Sequence, residues 1–443
     1  MAQQPNAAAA INNLMKTPEL RSKILFTLLC LLVYRVGAHI TVPGVDVNAL
    51  LAFFQSQGQQ GFLGLYDLFV GGGLSRATMF ALGIMPYISS SIIFQLAGGI
   101  VPQVEKMQKD EEGRKKITQW TRYLTVVIAA VQGWGFALFT ESLQNAVQNP
   151  GWGFRVEMTL FLTAGAMFVM WLGEQITERG VGNGASLLIF FSIVERIWPG
   201  IAQTWTFLGT DVINVGQLLL LAVVMVLVVA GTIAVTVAAR RVQIQIPQRT
   251  MARGRQREAA KNFIPLRMNS ANVMPIIFAQ TVVVVPATIA QFSGNPTMQR
   301  MAEYFSPGSW LYFVLTAALI VIFTYFYTSI IFNPIDIAEN LKKQGGFIPG
   351  IKPGAKTADY IDTIVTRITL PGALFLVIIA LLPVYIADLI NVPFRFGGTS
   401  LLIVVGVGLD TVQQLQQHLL LRKYDGFMKK GRVRFRGRQT TGY

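Results

Sequence analysis

Long unbroken apolar runs, separated by short polar stretches, set the pattern of this chain. Runs of about 18 or more apolar residues recur, each long enough to cross a hydrocarbon core of ~30 Å. They predict ten spans, at 23–42, 78–101, 120–140, 154–174, 184–204, 215–239, 270–292, 310–332, 368–388 and 398–420. Alternating segments of ~10 residues, the mark of a transmembrane β-barrel, are absent. The expected fold class is therefore an all-α polytopic membrane protein. Ten spans divide into two sets of five. If two five-span halves are structurally related, they are related by inversion.

One stretch breaks the pattern. "LYDLFVGGGLSRATMFALGIMPYISSSIIFQLAGGIVP", Leu65 to Pro102, is apolar enough for a bilayer. Yet it carries Gly71, Gly72 and Gly73 in a row, then Arg76, Pro86 and Ser89 to Ser91. Glycine and proline loosen a helix, and an arginine in lipid is costly. The glycines suit either a hinge or a close helix contact.

Composition agrees with the spans: 52% of residues are hydrophobic and 13% charged, and the mean hydropathy is +0.49. A soluble domain carries about 25% charged residues. Net charge is +15, and its distribution gives orientation. With the N-terminus cytoplasmic, 31 of the 37 Lys and Arg fall on the cytoplasmic side, 5 outside, and Arg35 inside the first span. Such a bias follows the positive-inside rule and would be scrambled by nine spans. The N-terminal residues lack the apolar core and cleavage site of a signal peptide, so no processing is expected. Cys30, the one cysteine, sits in an apolar run and forms no disulfide framework.

Two cytoplasmic loops are long. Residues 240–269 hold eight basic residues and one acid, Glu258. That excess serves either topology or docking on a polyanionic partner. In residues 333–366, Gly-Gly and Pro-Gly pairs predict defined turns. The tail, 421–443, is strongly basic and suits either anionic lipid or the ribosome. The chain thus divides into a cytoplasmic N-terminus (1–22), an N-terminal half (23–204), a C-terminal half (205–420) and the tail.

Catalytic signatures are missing. There is no GxxxxGK[ST] loop, no HExxH, no G-x-S-x-G and no Cys/His cluster of metal spacing. No enzyme activity and no cofactor are expected. Arg35 and Asp410 are the ionisable residues read as lying well inside spans, which leaves an ion-coupled small-solute transporter as the weaker rival to a passive conduit.

Four motifs, "GGGLSRATMFALGIMPYISSSII", "WLGEQITERGVGNGAS", "GGFIPGIKPGAKTADYID" and "VPFRFGGTSLLIVV", stand in one collinear order from about Leu20 to the tail. They resemble the SecY family of bacterial protein-translocation channel subunits. The resemblance implies ten helices in two five-helix halves around an hourglass pore. It implies a plug at about 65–74, including Leu65, Phe69, Gly71, Gly72, Gly73 and Leu74, with Arg76 beside it and the second span starting near Thr78. An aliphatic pore ring is implied at Ile84, Ile88, Ala185, Ile189, Ile277 and Ile403; Ala185 is smaller than the residue often found there. Ser89, Ser91, Gln132, Gln280 and Thr281 fall on the spans of the family's lateral gate, where a few hydrogen bonds would hold it closed. Arg253, Arg255, Arg257 and Lys352 fall on the docking loops, with Lys352 in "PGIKPG" where arginine is usual. Implied partners are SecE and SecG, the SecA ATPase, the ribosome, signal peptides with their unfolded polypeptides, and membrane lipids.

Overall fold

The computed structural model describes residues 18–54, 62–143, 145–210, 214–245, 262–269, 272–292, 296–305, 309–390 and 398–430. A helix overlies each of the ten predicted segments. These are α1 (Pro18–Gly37), α4 (Met85–Ile100), α6 (Glu111–Ser142), α7 (Trp152–Arg179), α8 (Gly184–Gly209), α9 (Val215–Val237), α10 (Met274–Phe292), α12 (Trp310–Ile331), α14 (Ala355–Ile390) and α15 (Gly398–Lys430). Short helices join them: α2 (Val47–Phe53), α3 (Phe62–Phe69), α5 (Pro102–Lys109), α11 (Pro296–Tyr304) and α13 (Pro334–Lys343). By length and apolar composition, six helices among the described residues can cross a membrane, or seven if the bent pair α4–α5 counts as one.

The surfaces of these helices suit lipid. Leu25, Leu28, Leu29, Leu32 and Val36 are more than half exposed along one face of α1, while Cys30 and Tyr34 on the other are buried. Water would penalise such a face; hydrocarbon does not. Threonines inside the helices return their hydroxyls to the carbonyl four residues back, as Thr232 does to Val228 at 2.7 Å and Thr324 to Ile320 at 2.6 Å. No polar group is thereby offered to the surroundings.

Packing divides along the sequence. In the first part α1 lies on α7, α4 on α6, and α7 between α6 and α8. In the second, α9 lies on α14 and α15, and α12 between α10 and α14. The two parts meet where α10 touches α4 and α6, and where α15 touches α8. One buried apolar cluster runs through both, including Ile92, Phe136, Leu188, Phe278 and Ile403.

Three details differ from the expectation. The helix of the second span starts at Met85, not Thr78, because residues 70–84 form turns and an isolated bridge from Thr78 to Thr41. The short helix before it is Phe62–Phe69, ending before the glycines rather than at Leu74. Finally, the first long loop begins and ends in a β-ribbon, β1 (Ala239–Ile244) antiparallel to β2 (Asn262–Arg267), which was not anticipated. Val242 and Leu266 bury one face of the ribbon against Leu341, Ile348, Ile361 and Ile364, a second core outside the first. Gln245 pairs with Phe347 and ties the two long loops together.

Candidate functional site

α3 lies where the two parts of the chain meet, packed against α8 on one side and α10 on the other. Its closing turn needs left-handed backbone at Gly71 (φ 72°) and Gly72 (φ 84°), which side chains rarely adopt. Gly71 also sits on Ser192 of α8, where an added Cβ would come within 3.3 Å of the Ser192 Cβ. The close-contact reading therefore applies at Gly71, and the turn itself calls for glycine. Tyr66 is fully buried and donates its hydroxyl to the Leu82 carbonyl at 3.1 Å. Phe69 and Leu74 are buried, and the Leu65 side chain lies outside the described residues. Asp67 is buried: one carboxylate oxygen accepts the Ser75 N–H at 2.9 Å, and the other pairs with Arg196 of α8. Arg76 is exposed, on the turn segment that Val42 and Met79 pin by backbone bonds of 2.8 and 2.7 Å.

All six aliphatic positions belong to the main apolar cluster or pack against it. Ile84, Ile88, Ile189, Ile277 and Ile403 are all buried, and half-buried Ala185 packs against the same cluster. They come from four elements: Ile84 caps α4 and Ile88 is in its first turn, Ala185 and Ile189 lie on α8, Ile277 on α10 and Ile403 on α15. Ile88, Ala185, Ile189 and Ile277 line one cavity of about 290 Å³. Bulky apolar groups meeting this way exclude water from a narrow passage.

The five polar gate positions sit on α4, α6 and α10 as expected, but their bonds stay local. Ser89 donates to the Met85 carbonyl at 2.9 Å, Thr281 to Ile277 at 2.7 Å, and Ser91 accepts from Gln95 at 3.0 Å. Gln280 donates to the Tyr312 hydroxyl at 3.2 Å, within the second part of the chain. Neither amide atom of buried Gln132 has a partner among the described residues. The bonds given by these five positions do not cross the seam, which buried apolar side chains of α4, α6 and α10 fill. Side chains one turn from a carbonyl of their own helix find that acceptor first.

Lys352 is exposed on the turn before α14, its carbonyl accepting the Thr357 hydroxyl at 3.0 Å. Left-handed Gly345, Gly350 and Gly354 shape this loop, as the Gly-Gly and Pro-Gly pairs predict. Arg253, Arg255 and Arg257 lie outside the described residues.

Charge pairs inside the helical body were the residues that sequence reasoning missed. Arg35 pairs with Glu195 and Arg196 with Asp67, so adjacent residues of α8 hold α1 and α3. Arg122 of α6 makes two bonds to Glu174 of α7, at 3.0 and 2.8 Å. Asp410 accepts Asn272 at 2.7 Å. An acid near the end of one span and a base near the end of another was the available signal.

Solved structures set the class first. The backbone is similar to a protein conducting channel at TM-score 0.65, with 17% identity over 96% of this chain and 99% of the other. It is similar to Sec61 in the canine ribosome-channel complex at TM-score 0.62 and 17% identity, with the same coverage. The chain has the fold of these channels. In sequence, the family model of SecY matches residues 78–412. Protein translocase subunit SecY of Aquifex aeolicus is 43% identical over 425 residues, covering 94% of this chain and 98% of the relative. The Escherichia coli K12 subunit is 42% identical over 428 residues, covering 95% and 96%. The chain belongs to the SecY family of protein translocase subunits.

Proposed function

We propose that this chain is the central protein-conducting channel subunit of the Sec translocon. It passes unfolded, signal-bearing polypeptides across the bacterial cytoplasmic membrane and releases apolar segments sideways into lipid. On this reading the ten long helices are ten spans in two inverted halves, with both termini cytoplasmic. SecE and SecG clamp the assembly, and the SecA ATPase or the ribosome supplies the drive at the cytoplasmic loops. The observation that carries the reading is that Ile88, Ala185, Ile189 and Ile277, from both parts of the chain, line one cavity, and that a short helix, α3, touches both parts. An aliphatic ring seals around a chain without gripping it, and α3 fills the passage when no chain is present. The seam of α10 with α4 and α6 is the side door. It is held by apolar packing, which an entering apolar helix replaces in kind.

In this mechanism the chain does no covalent chemistry. Asp67, Tyr66 and the Gly71–Gly72 turn hold α3 in place. Gate residues Ser89, Ser91, Gln132, Gln280 and Thr281 offer partners to a segment that parts the seam. Lys352 gives the motor or the ribosome a cationic contact.

The test is translocation in proteoliposomes holding this chain with SecE and SecG. SecA, ATP and a signal-bearing preprotein are added, and protease protection of the preprotein is read. ATP-dependent protection that a defective signal abolishes is expected. Its absence, while a homologous complex works alongside, overturns the reading. A solute carrier would instead show saturable small-solute uptake.

A further inference from the structure

Asp410 lies on α15 within a span, yet it takes no part in the ring, the seam or the seat of α3. It shares one helix face with Gly406 and Gln413, four residues before it and three after. That face receives residues 267–269 and 272–273, which lead from the β-ribbon into α10. Arg267, the last residue of β2, donates to Gln413 at 3.1 Å. Asn272 donates its side-chain amide to Asp410 at 2.7 Å. Val273 lies against Gly406, where an added Cβ would stand 2.0 Å from the Val273 Cγ2. The Met268 carbonyl reaches Gly372 of α14 in the same way, 2.7 Å from an added Cβ. Asn272 is left-handed (φ 52°), and its carbonyl accepts the amide of buried Asn269 at 2.9 Å. Asparagine accepts that backbone more readily than most side chains do. The post itself is braced. α15 packs on α8, α9 and α14, and Thr411, next to Asp410, stands over Gly182 in the turn between α7 and α8. The body of α10 packs elsewhere, on α12 and, across the seam, on α4 and α6.

We propose that this contact is a fixed pivot and that Asp410 is a positioning residue for α10. It holds the base of α10 on α15 while the body of the helix swings as the seam parts. The bond from Asn272 sets the direction in which α10 leaves the turn, and so the angle at which it meets α4 and α6. Arg267 keeps the end of the ribbon on the same post through Gln413. Gly406 brings the two backbones close enough for these short side chains to reach. The inference rests on the channel reading and adds to it the point about which one helix of the seam turns.

The experiment uses the complete complex in proteoliposomes and has two readouts. The first locks the joint. A Cβ at Gly406 would lie 3.4 Å from the Val273 Cβ, close to the spacing of about 3.5–4.5 Å in a disulfide. Val273→Cys with Gly406→Cys is oxidised, the oxidant is removed, and protease protection of a preprotein is followed. Translocation at the rate of the reduced complex is expected, since a pivot need not come apart. A block that reduction relieves, or failure of the two cysteines to bridge, overturns the proposal. The second readout loosens the joint. Two preproteins carry an intact or a defective signal, and the ratio of defective to intact rates is measured. Asp410→Ala is expected to raise that ratio roughly tenfold, the scale of one hydrogen bond to a charged acceptor. Asp410→Asn keeps an acceptor for Asn272 and stays near the parent. A ratio in Asp410→Ala equal to the parent's overturns the proposal. Should Asp410→Ala fail to assemble, Asn272→Gly decides, because it removes the same bond and keeps the left-handed turn; an unchanged ratio there overturns the proposal as well. Failure of the intact preprotein in the parent complex overturns the channel reading instead.

Discussion

Asp67 offers the sharpest test of how the short helix is held. Its carboxylate is 3% exposed and carries two duties, the Ser75 N–H at 2.9 Å and the pair with Arg196, itself 32% exposed. Asp67→Asn keeps the shape and can keep the acceptor for Ser75, but removes the charge. Breaking a fully buried pair by removing one partner costs about 3–5 kcal/mol. With Arg196 a third exposed, part of its hydration is recovered, and about 1–2 kcal/mol is the expected loss to the seated position of α3. That multiplies the unseated fraction roughly 5- to 30-fold. Asp67→Ala also leaves the Ser75 N–H without an acceptor and should exceed Asp67→Asn. The assay is ion leak through the resting complex in planar bilayers. Arg196→Gln should raise leak to a similar degree, and adding it to Asp67→Asn should add little, since both remove one interaction. Leak equal to the parent in Asp67→Asn, or full additivity of the two changes, would refute the argument.

Other outcomes follow from the same geometry. Ile88→Ser and Ile277→Ser wet the ring and should raise resting ion leak together with Asp67→Asn rather than in its place, read as conductance per complex. Gly165→Leu should cut the yield of folded protein, since even the added Cβ would lie 1.9 Å from the Met79 carbonyl and backbone must move; yield in detergent and thermal midpoint measure it. Lys352→Ala should lower SecA-dependent translocation while Lys352→Arg retains or raises it, because the guanidinium keeps the charge and adds a planar fork; ATP-dependent protection rates decide. Tyr66→Phe should lower the thermal midpoint by the equivalent of about 1 kcal/mol, through the Leu82 carbonyl left without its donor.

The helices were legible because a span in lipid must satisfy every backbone group within itself, so a long apolar run has few alternatives. What sequence reading missed lies where that constraint relaxes. Residues 70–84 are as apolar as a span, yet they hydrogen-bond to residues 40–42 and to one another and leave the helix to begin at Met85. The alternation of Val242 with Gln243 and Ile244 was a readable strand signal, but six residues beside a basic loop were read as charge alone. The ring positions were placed through motif likeness; isoleucines in spans do not otherwise declare a pore. The bonds of the gate residues Ser89 and Thr281 stay within their helices because each has a carbonyl of its own helix within reach. The Asp67–Arg196 pair joins residues 129 positions apart, a distance over which no local pattern speaks.

The β-ribbon gives the two long loops a stiffness that unpaired loops would lack. Val242 and Leu266 lock it to Ile348, Ile361 and Ile364, and the last two belong to α14. That helix is 36 residues long in all, roughly 54 Å at 1.5 Å per residue, with Pro371 and Pro383 within it. Lys352 stands three residues before its first turn. A load applied at Lys352 therefore meets the start of a helix braced by the ribbon rather than a slack tether. The packing of α14 on α12, and of α12 on α10, gives that load a contiguous path to the seam.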